Sequence, residues 1–202
     1  MKRIVVTGTH GAGKTTLCYL LAAFFKQQQH NVKVINETAR QCPFPINEVA
    51  NNNTELWIVH SQIVKELDAE AQQYDAIITD RCPMDPIVYW AERNPSCEEF
   101  DELERTALLW MDKYDAIFLV EPSSDTDAFA VDAVRATSIA YRNSIRDMFR
   151  VYCDKLSEKA RSKLHVIQSD DIFGDFTLPG AIHPLAAAVA AGEKVAEECV
   201  LQ

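Results

Sequence analysis

The run Gly8-Thr9-His10-Gly11-Ala12-Gly13-Lys14-Thr15 matches the pattern G-x-x-x-x-G-K-[ST] at every fixed position. Its flanks agree with it. Residues 3–7 (RIVVT) are mostly apolar and β-branched and predict a buried strand, and residues 16–25 (TLCYLLAAFF) predict a mostly buried helix. A glycine-rich turn from strand to helix is the setting in which such a loop holds phosphate. Backbone N–H groups can turn inward onto phosphate oxygens, and the helix N-terminus adds partial positive charge. Gly8, Gly11, Ala12, Gly13, Lys14, Thr15 and Thr16 are therefore the expected nucleotide contacts. Lys14 would reach the β- and γ-phosphates, and the Thr15 hydroxyl would coordinate Mg²⁺.

Composition narrows the classes. At 202 residues, 48% apolar and 25% charged, the chain can bury a sizeable core and reads as a single domain over residues 1–202. A formal net charge of −10 disfavours a protein that grips nucleic-acid backbones, although a local arginine groove stays open as an alternative. Met1-Lys2-Arg3 leads straight into the first strand, so no signal peptide is expected, and no run approaches the length of a membrane span. The six cysteines form no C-x-x-C pair, which fits reduced thiols in a cytoplasmic protein.

Further along, residues 32–36 alternate and read as a second strand ending at Glu37. Two prolines keep residues 42–47 out of regular helix. Thr54 is the expected N-cap of a helix whose face is Leu56, Val59, Ile63, Leu67 and Ala71. Residues 74–80 form the third strand, with Asp80 and Arg81 at its carboxyl end. Pro83 and Pro86 open a short helix through Trp90, and Ser96 with Glu99 predicts a capping box for a helix to Met111. Residues 114–120 form the fourth strand, repeating the tetrad Tyr-Asp-Ala-Ile of residues 74–77. Residues 128–159 read as helical, 164–167 as a fifth strand and 185–200 as a last helix. This alternation means an α/β fold with a parallel sheet covered on both faces, whose ligands bind at the carboxyl ends of the strands. Glu37, Asp80, Arg81 and Glu121 all follow strand ends and should converge on the phosphate loop.

Asp80 stands where a carboxylate would act on Mg²⁺, directly or through water; the alternative is a turn-capping aspartate. The planar fork of Arg81 suits phosphate, or else a surface ion pair. Glu37 reads equally as a general base, a substrate ligand or a partner of Arg40. Arg135, Arg142, Arg146 and Arg150 share a helical face. Arg135 and Arg142 read as charges closing over a transferring phosphate, Arg146 and Arg150 as a solvated face among Asp147 and Asp154. His10 occupies a free position of the loop and reads as a spectator. Trp57, Trp90 and Trp110 read as core or pocket wall.

Taken together, the chain resembles small P-loop kinases, and most closely the family typified by the nicotinamide riboside kinase domain of bacterial regulators. The resemblance rests on residues 8–15, on Asn36-Glu37-Thr38-Ala39-Arg40, on Thr79-Asp80-Arg81 with Asp85 and Tyr89, and on Val131-Asp132-Ala133-Val134-Arg135 with Tyr141-Arg142. Ala133 stands where the family pattern has glycine. The Asp-Arg pair is also similar to that of deoxynucleoside and thymidylate kinases. The resemblance implies a P-loop NTPase fold with five parallel strands in the order 2-3-1-4-5 and a lid-like arginine-bearing segment over residues 125–160. It implies ATP as donor, since no Asn-Lys-x-Asp guanine motif is present, together with Mg²⁺ and a nucleoside, nucleotide or related small molecule as acceptor. Two other functions stay open: a nucleotide-dependent regulatory switch, and a kinase acting on a base or end of a polynucleotide. A homodimer is also left open. The segments expected to choose the acceptor, residues 42–53 and 83–94, carry no readable code.

Overall fold

The structure, a computed structural model, describes residues 1–93, 95, 97–122, 139–172, 178, 180 and 182–192. Five strands, β1 (Lys2–Thr7), β2 (Val32–Ile35), β3 (Ala76–Asp80), β4 (Ala116–Glu121) and β5 (Leu164–Gln168), form one parallel sheet in the order β2-β3-β1-β4-β5. This is the expected P-loop NTPase order. The chain builds first to one side of β1 and then to the other, so a crevice opens where β1 ends. Register makes the consequence specific: Val6 lies opposite Asp80, and Thr7 opposite Leu119.

Both faces of β1 are buried, and its side chains divide between them with a period of two. Ile4 and Val6 pack with Ile78 and Phe118 against α1 (Lys14–Gln27) and α7 (His183–Ala191), through Leu17, Leu21, Phe25 and Val189. Val5 faces the other layer with Ile117 and Leu119. That layer holds α2 (Asn52–Ala71), α3 (Met84–Glu92), α4 (Glu98–Met111) and α5 (Ile139–Lys155). Each fully buried Leu, Ile or Phe contributes about 1.5–3 kcal/mol of transfer free energy, so the central strand is fixed from both sides. The repeated tetrad has a structural reason. Asp75 Oδ2 accepts from the Asn31 amide at 2.7 Å, and Asp115 Oδ2 accepts from the Arg3 amide at 2.8 Å. Each aspartate closes the amino-terminal edge of a neighbouring strand.

Four local expectations are corrected. Asn51, not Thr54, is the N-cap of α2; Thr54 lies one turn in and completes a reciprocal box, its Oγ1 accepting from the Asn51 amide at 3.2 Å. The buried face of α2 is Glu55, Val59, Gln62, Glu66 and Ala69, whereas Leu67 is exposed. Polar side chains won that face because each of Gln62 and Glu66 finds several partners there. In α4, Cys97 occupies the N-cap position; Ser96 lies outside the described residues. The helix of residues 128–159 ends at Lys155, and Ser157 then caps a separate turn, α6 (Glu158–Arg161), accepting from the Ala160 amide at 3.1 Å. Residues 128–138 and 193–200 lie outside the described part, and α7 closes at Gly192 in the left-handed conformation. Among the described residues no helix is long and apolar enough to cross a membrane.

Candidate active site

The chain leaves β1 at Gly8, whose φ is +124°. A Cβ there would stand 2.4 Å from the Val120 carbonyl oxygen, so β4 leaves room for glycine alone. Gly13, with φ +85°, turns the backbone into α1. Lys14 is buried, and its Nζ donates to the Thr9 carbonyl at 2.6 Å, folded across its own loop. Burial first, and the Arg81 charge second, lower its ammonium to about 8.

Thr15 Oγ1 donates to Asp80 Oδ2 at 2.5 Å. Burial raises the Asp80 carboxyl, against the pull of Lys14 and of the Thr15 bond. A hydroxyl and a carboxylate side by side are hard oxygen donors. They fit Mg²⁺, which keeps several waters and completes its shell with phosphate oxygens. Among the described residues no group of three or more His, Cys, Asp or Glu could hold a metal, so a cation here would depend on this pair and on bound phosphate.

Arg81 follows β3 with φ +81°, a backbone state that costs a non-glycine residue about 1–3 kcal/mol. Its surroundings hold it there. The Arg81 amide donates to the Val6 carbonyl at 3.0 Å, and Gln62 Nε2 donates to the Arg81 carbonyl at 3.4 Å. The guanidinium donates through Nε to Glu37 Oε1 at 2.6 Å, and through Nη1 to Asp85 Oδ1 at 3.0 Å and the Gly8 carbonyl at 3.4 Å. It lies 5.5 Å from the Tyr89 ring centroid. Asp85 is fixed in turn, its Oδ2 accepting from Thr7 Oγ1 at 2.7 Å and from the Cys82 amide at 3.0 Å. Glu37 Oε2 accepts from Arg40 Nε at 2.9 Å. Burial alone would raise the Glu37 carboxyl, but Arg81, Lys14 and Arg40 outweigh it and hold the group at about 2.

The structure thus brings Glu37, Asp80 and Arg81 to the phosphate loop, and Glu37 does pair with Arg40. Glu121 turns elsewhere, its two oxygens taking Arg150 Nε at 3.2 Å and Nη2 at 3.1 Å. Arg146 pairs with Asp147 at 3.0 Å. Arg142 is different. It is buried, its carbonyl accepts from Thr9 Oγ1 at 3.3 Å, and its Nε and Nη2 have no hydrogen-bond partner among the described residues. Arg135 lies outside the described residues. Trp90 and Trp110 are core, as one of their two readings has it.

His10, read from the sequence as a spectator of the chemistry, makes contacts beyond the loop. Its Nδ1 is 3.1 Å from the Tyr89 hydroxyl, and its ring stacks on Tyr141 with centroids 6.1 Å apart. It joins the loop to α3 and α5, a role that a free motif position conceals. Reasoning also missed Gln62 and Glu55, whose only sequence signal was polarity on an amphipathic helix. Beside this cluster lies a small cavity of about 60 Å³, open in part to solvent, lined by Glu37, Arg81, Asp85, Tyr89 and residues of the 46–58 segment.

A family model described as an AAA domain matches residues 3–172. Among solved structures, the thymidylate kinase from Ehrlichia chaffeensis is similar, with a TM-score of 0.63 at 20% identity over 93% of this chain and 97% of that one. At that identity the likeness shows a shared fold and nothing finer. No curated protein matches the chain.

Proposed function

We propose, for a chain that belongs to the AAA domain family, an ATP- and Mg²⁺-dependent phosphotransferase whose acceptor is a nucleoside, nucleotide or related small molecule. One observation carries this reading. The cavity beside the phosphate loop shares Arg81 with it, since the same guanidinium touches Gly8 of the loop and lines the cavity with Glu37 and Asp85. A donor site and a small-molecule site joined by one arginine suit group transfer between two ligands.

Residues 8–16 hold the triphosphate, with Lys14 leaving the Thr9 carbonyl for the phosphates. Thr15 and Asp80 hold Mg²⁺, which when bound neutralises phosphate charge. Arg81 orients the transferred group. Glu37, ionised at working pH, keeps Arg81 in place. It can take the acceptor proton only once Arg81 turns to phosphate and stops depressing its pKa. Arg142, buried, with its backbone carbonyl held by Thr9 and its Nε and Nη2 without partners among the described residues, supplies charge to the transition state, and Arg135 is assigned the same task. Within this class we favour an acceptor like that of the nicotinamide riboside kinase-like family, on the motifs at residues 36–40 and 79–89.

A second reading, a nucleotide-dependent switch, draws on the Thr9–Arg142 and His10–Tyr141 contacts, which tie the loop to α5. A screen of ADP release over nucleosides, nucleoside monophosphates, nicotinamide riboside and oligonucleotides separates the two. The transferase predicts one small molecule that raises ADP release well above background. A switch predicts slow hydrolysis that no acceptor changes.

A further inference from the structure

A second cavity, of about 290 Å³ and open in part to solvent, lies at the edge of the sheet, between β2, the Thr38–Gln41 turn and α2. The volume is many times the roughly 10–15 Å³ that one water requires. β2 is the last strand of the sheet, so no further strand covers this side. The wall is mostly polar: Lys33 and Asn36 from the β2 side, Gln41 from the turn, and Lys65, Asp68 and Gln72 from α2 and its C-cap. Buried Ile35 and Ala69 supply its apolar part.

The wall holds two cations and no anion that pairs with them. Lys65 is partly buried, and its ammonium donates to neutral oxygens, Gln41 Oε1 at 2.7 Å and Thr38 Oγ1 at 3.2 Å. Burial lowers its pKa, and no neighbouring carboxylate opposes the shift. Lys33 Nζ lies 5.9 Å from the Tyr74 ring centroid. Among the described residues neither lysine forms an ion pair, with Asp68 or with any other acid. An anion would serve Lys65 better than neutral acceptors do, because charge-assisted hydrogen bonds are about twice as strong. Lysines act as point charges, so they take phosphate or carboxylate without the planar fit that a guanidinium imposes. The rest of the wall selects what the anion is attached to. Asp68 only accepts, and the amides of Asn36 and Gln72 both donate and accept, which suits hydroxyl groups.

We propose that this cavity is a second ligand site, for a small hydroxylated anion: a sugar phosphate or a sugar acid. Lys33 and Lys65 take its phosphate or carboxylate, and Asp68, Asn36 and Gln72 take its hydroxyls. The assignment does not rest on the transferase reading, since it uses none of the residues given to ATP, Mg²⁺ or the acceptor. The two sites nevertheless share one segment. Asn36 and Gln41 line this cavity, whereas Glu37 and Ala39 line the one beside the phosphate loop. Thr38, which accepts from Lys65, donates to Gln62 Oε1 at 2.6 Å, and Gln62 Nε2 donates to the Arg81 carbonyl at 3.4 Å. An anion that draws Lys65 off Thr38 therefore acts on the contacts that hold Arg81.

The test is a calorimetric titration of the full chain, saturated with Mg²⁺ and a non-hydrolysable ATP analogue so that the phosphate loop is filled. The probes share one carbon skeleton: glucose 6-phosphate, gluconate and uncharged glucose. The expected result is saturable binding of glucose 6-phosphate or gluconate, at least about tenfold tighter than glucose, and the arm that binds identifies the anion. Lys65→Met, which keeps the stem and removes the charge, is expected to weaken that binding at least about tenfold. Lys33→Met, at an exposed position, is read the same way if Lys65→Met fails to fold. No saturable binding of either anion, binding no tighter than that of glucose, or binding unchanged in the folded variant overturns the assignment. ADP release that responds to an acceptor in the same protein would leave the transferase reading standing in each of those cases.

Discussion

The phosphate loop and the α2–α3 side of the crevice face the same space but are built on opposite principles. The loop is local. Its eight residues are consecutive, its first glycine is dictated by the Val120 carbonyl, and its support is the apolar packing of α1. The α2–α3 side is assembled from distant residues joined by polar contacts. Thr38 Oγ1 donates to Gln62 Oε1 at 2.6 Å, Gln62 Nε2 donates to Glu66 Oε1 at 3.0 Å, and Glu66 also accepts from Trp110 Nε1 at 2.9 Å and the Tyr114 hydroxyl at 2.7 Å. Burial raises the Glu66 carboxyl in spite of these donors. A local loop held by apolar packing can lose one side chain and keep its shape. A buried network, in which each member orients the next, fails as a unit.

The largest expected effect comes from breaking that network. Glu66→Leu strands the donors of Trp110, Tyr114 and Gln62 and leaves Arg3, 3.6 Å from Glu66, half unpaired. A loss of about 3–5 kcal/mol in urea unfolding is expected. A loss below about 1 kcal/mol would mean that the network is ornamental and that the two regions do not differ in kind.

Lys14→Ala tests the opposite behaviour. Calorimetric titration should show Mg·ATP affinity reduced by about 2–5 kcal/mol, while the thermal midpoint shifts little. Because free Lys14 sits at about 8, its charge is lost as pH rises through that value. ATP binding should then take up a proton and weaken above pH 8, an effect absent in Lys14→Ala.

Glu37 lies where the two regions meet. With its carboxyl at about 2 in the fold and 4.5 as the ordinary value, its contribution to stability is complete above pH 4.5 and lost as pH falls towards 2. The size is at most about 3 kcal/mol. Glu37→Gln should flatten that acid limb in a melting series. In turnover it should lower kcat more than it raises KM; the reverse pattern would make it a substrate ligand.

The smallest expected effect sharpens the comparison at α5. Arg142→Ala should cut acceptor-dependent turnover at least about tenfold, roughly 1.4 kcal/mol of barrier, with a lesser change in ATP affinity. Silence there would return Arg142 to architecture and leave Lys14 and Arg81 as the charges on phosphate.

The same contrast explains what was legible. The loop could be read because its information is contiguous. The strand order agreed with the family resemblance, and the strands themselves followed from short apolar runs between turns. The α2–α3 side could not be read, because its positions are defined by partners far away in the chain. Helix α2 shows why. Counting apolar residues put Leu67 on the inner face, whereas the chain buries Gln62 and Glu66, whose partners Thr38, Trp110 and Tyr114 lie well outside any helical window. Glu55 was silent for the same reason, since its partner Arg93 follows the end of another helix.

The central claim is that one arginine joins a donor site to an acceptor site. The most direct measurement is ADP release by the wild type and by Arg81→Lys, with and without each acceptor of the screen. The account predicts that an acceptor stimulates the wild type, and that Arg81→Lys loses this stimulation while still binding Mg·ATP, because an ammonium cannot make the bidentate contact of a planar guanidinium. ADP release that no acceptor changes, or full stimulation in Arg81→Lys, would contradict it.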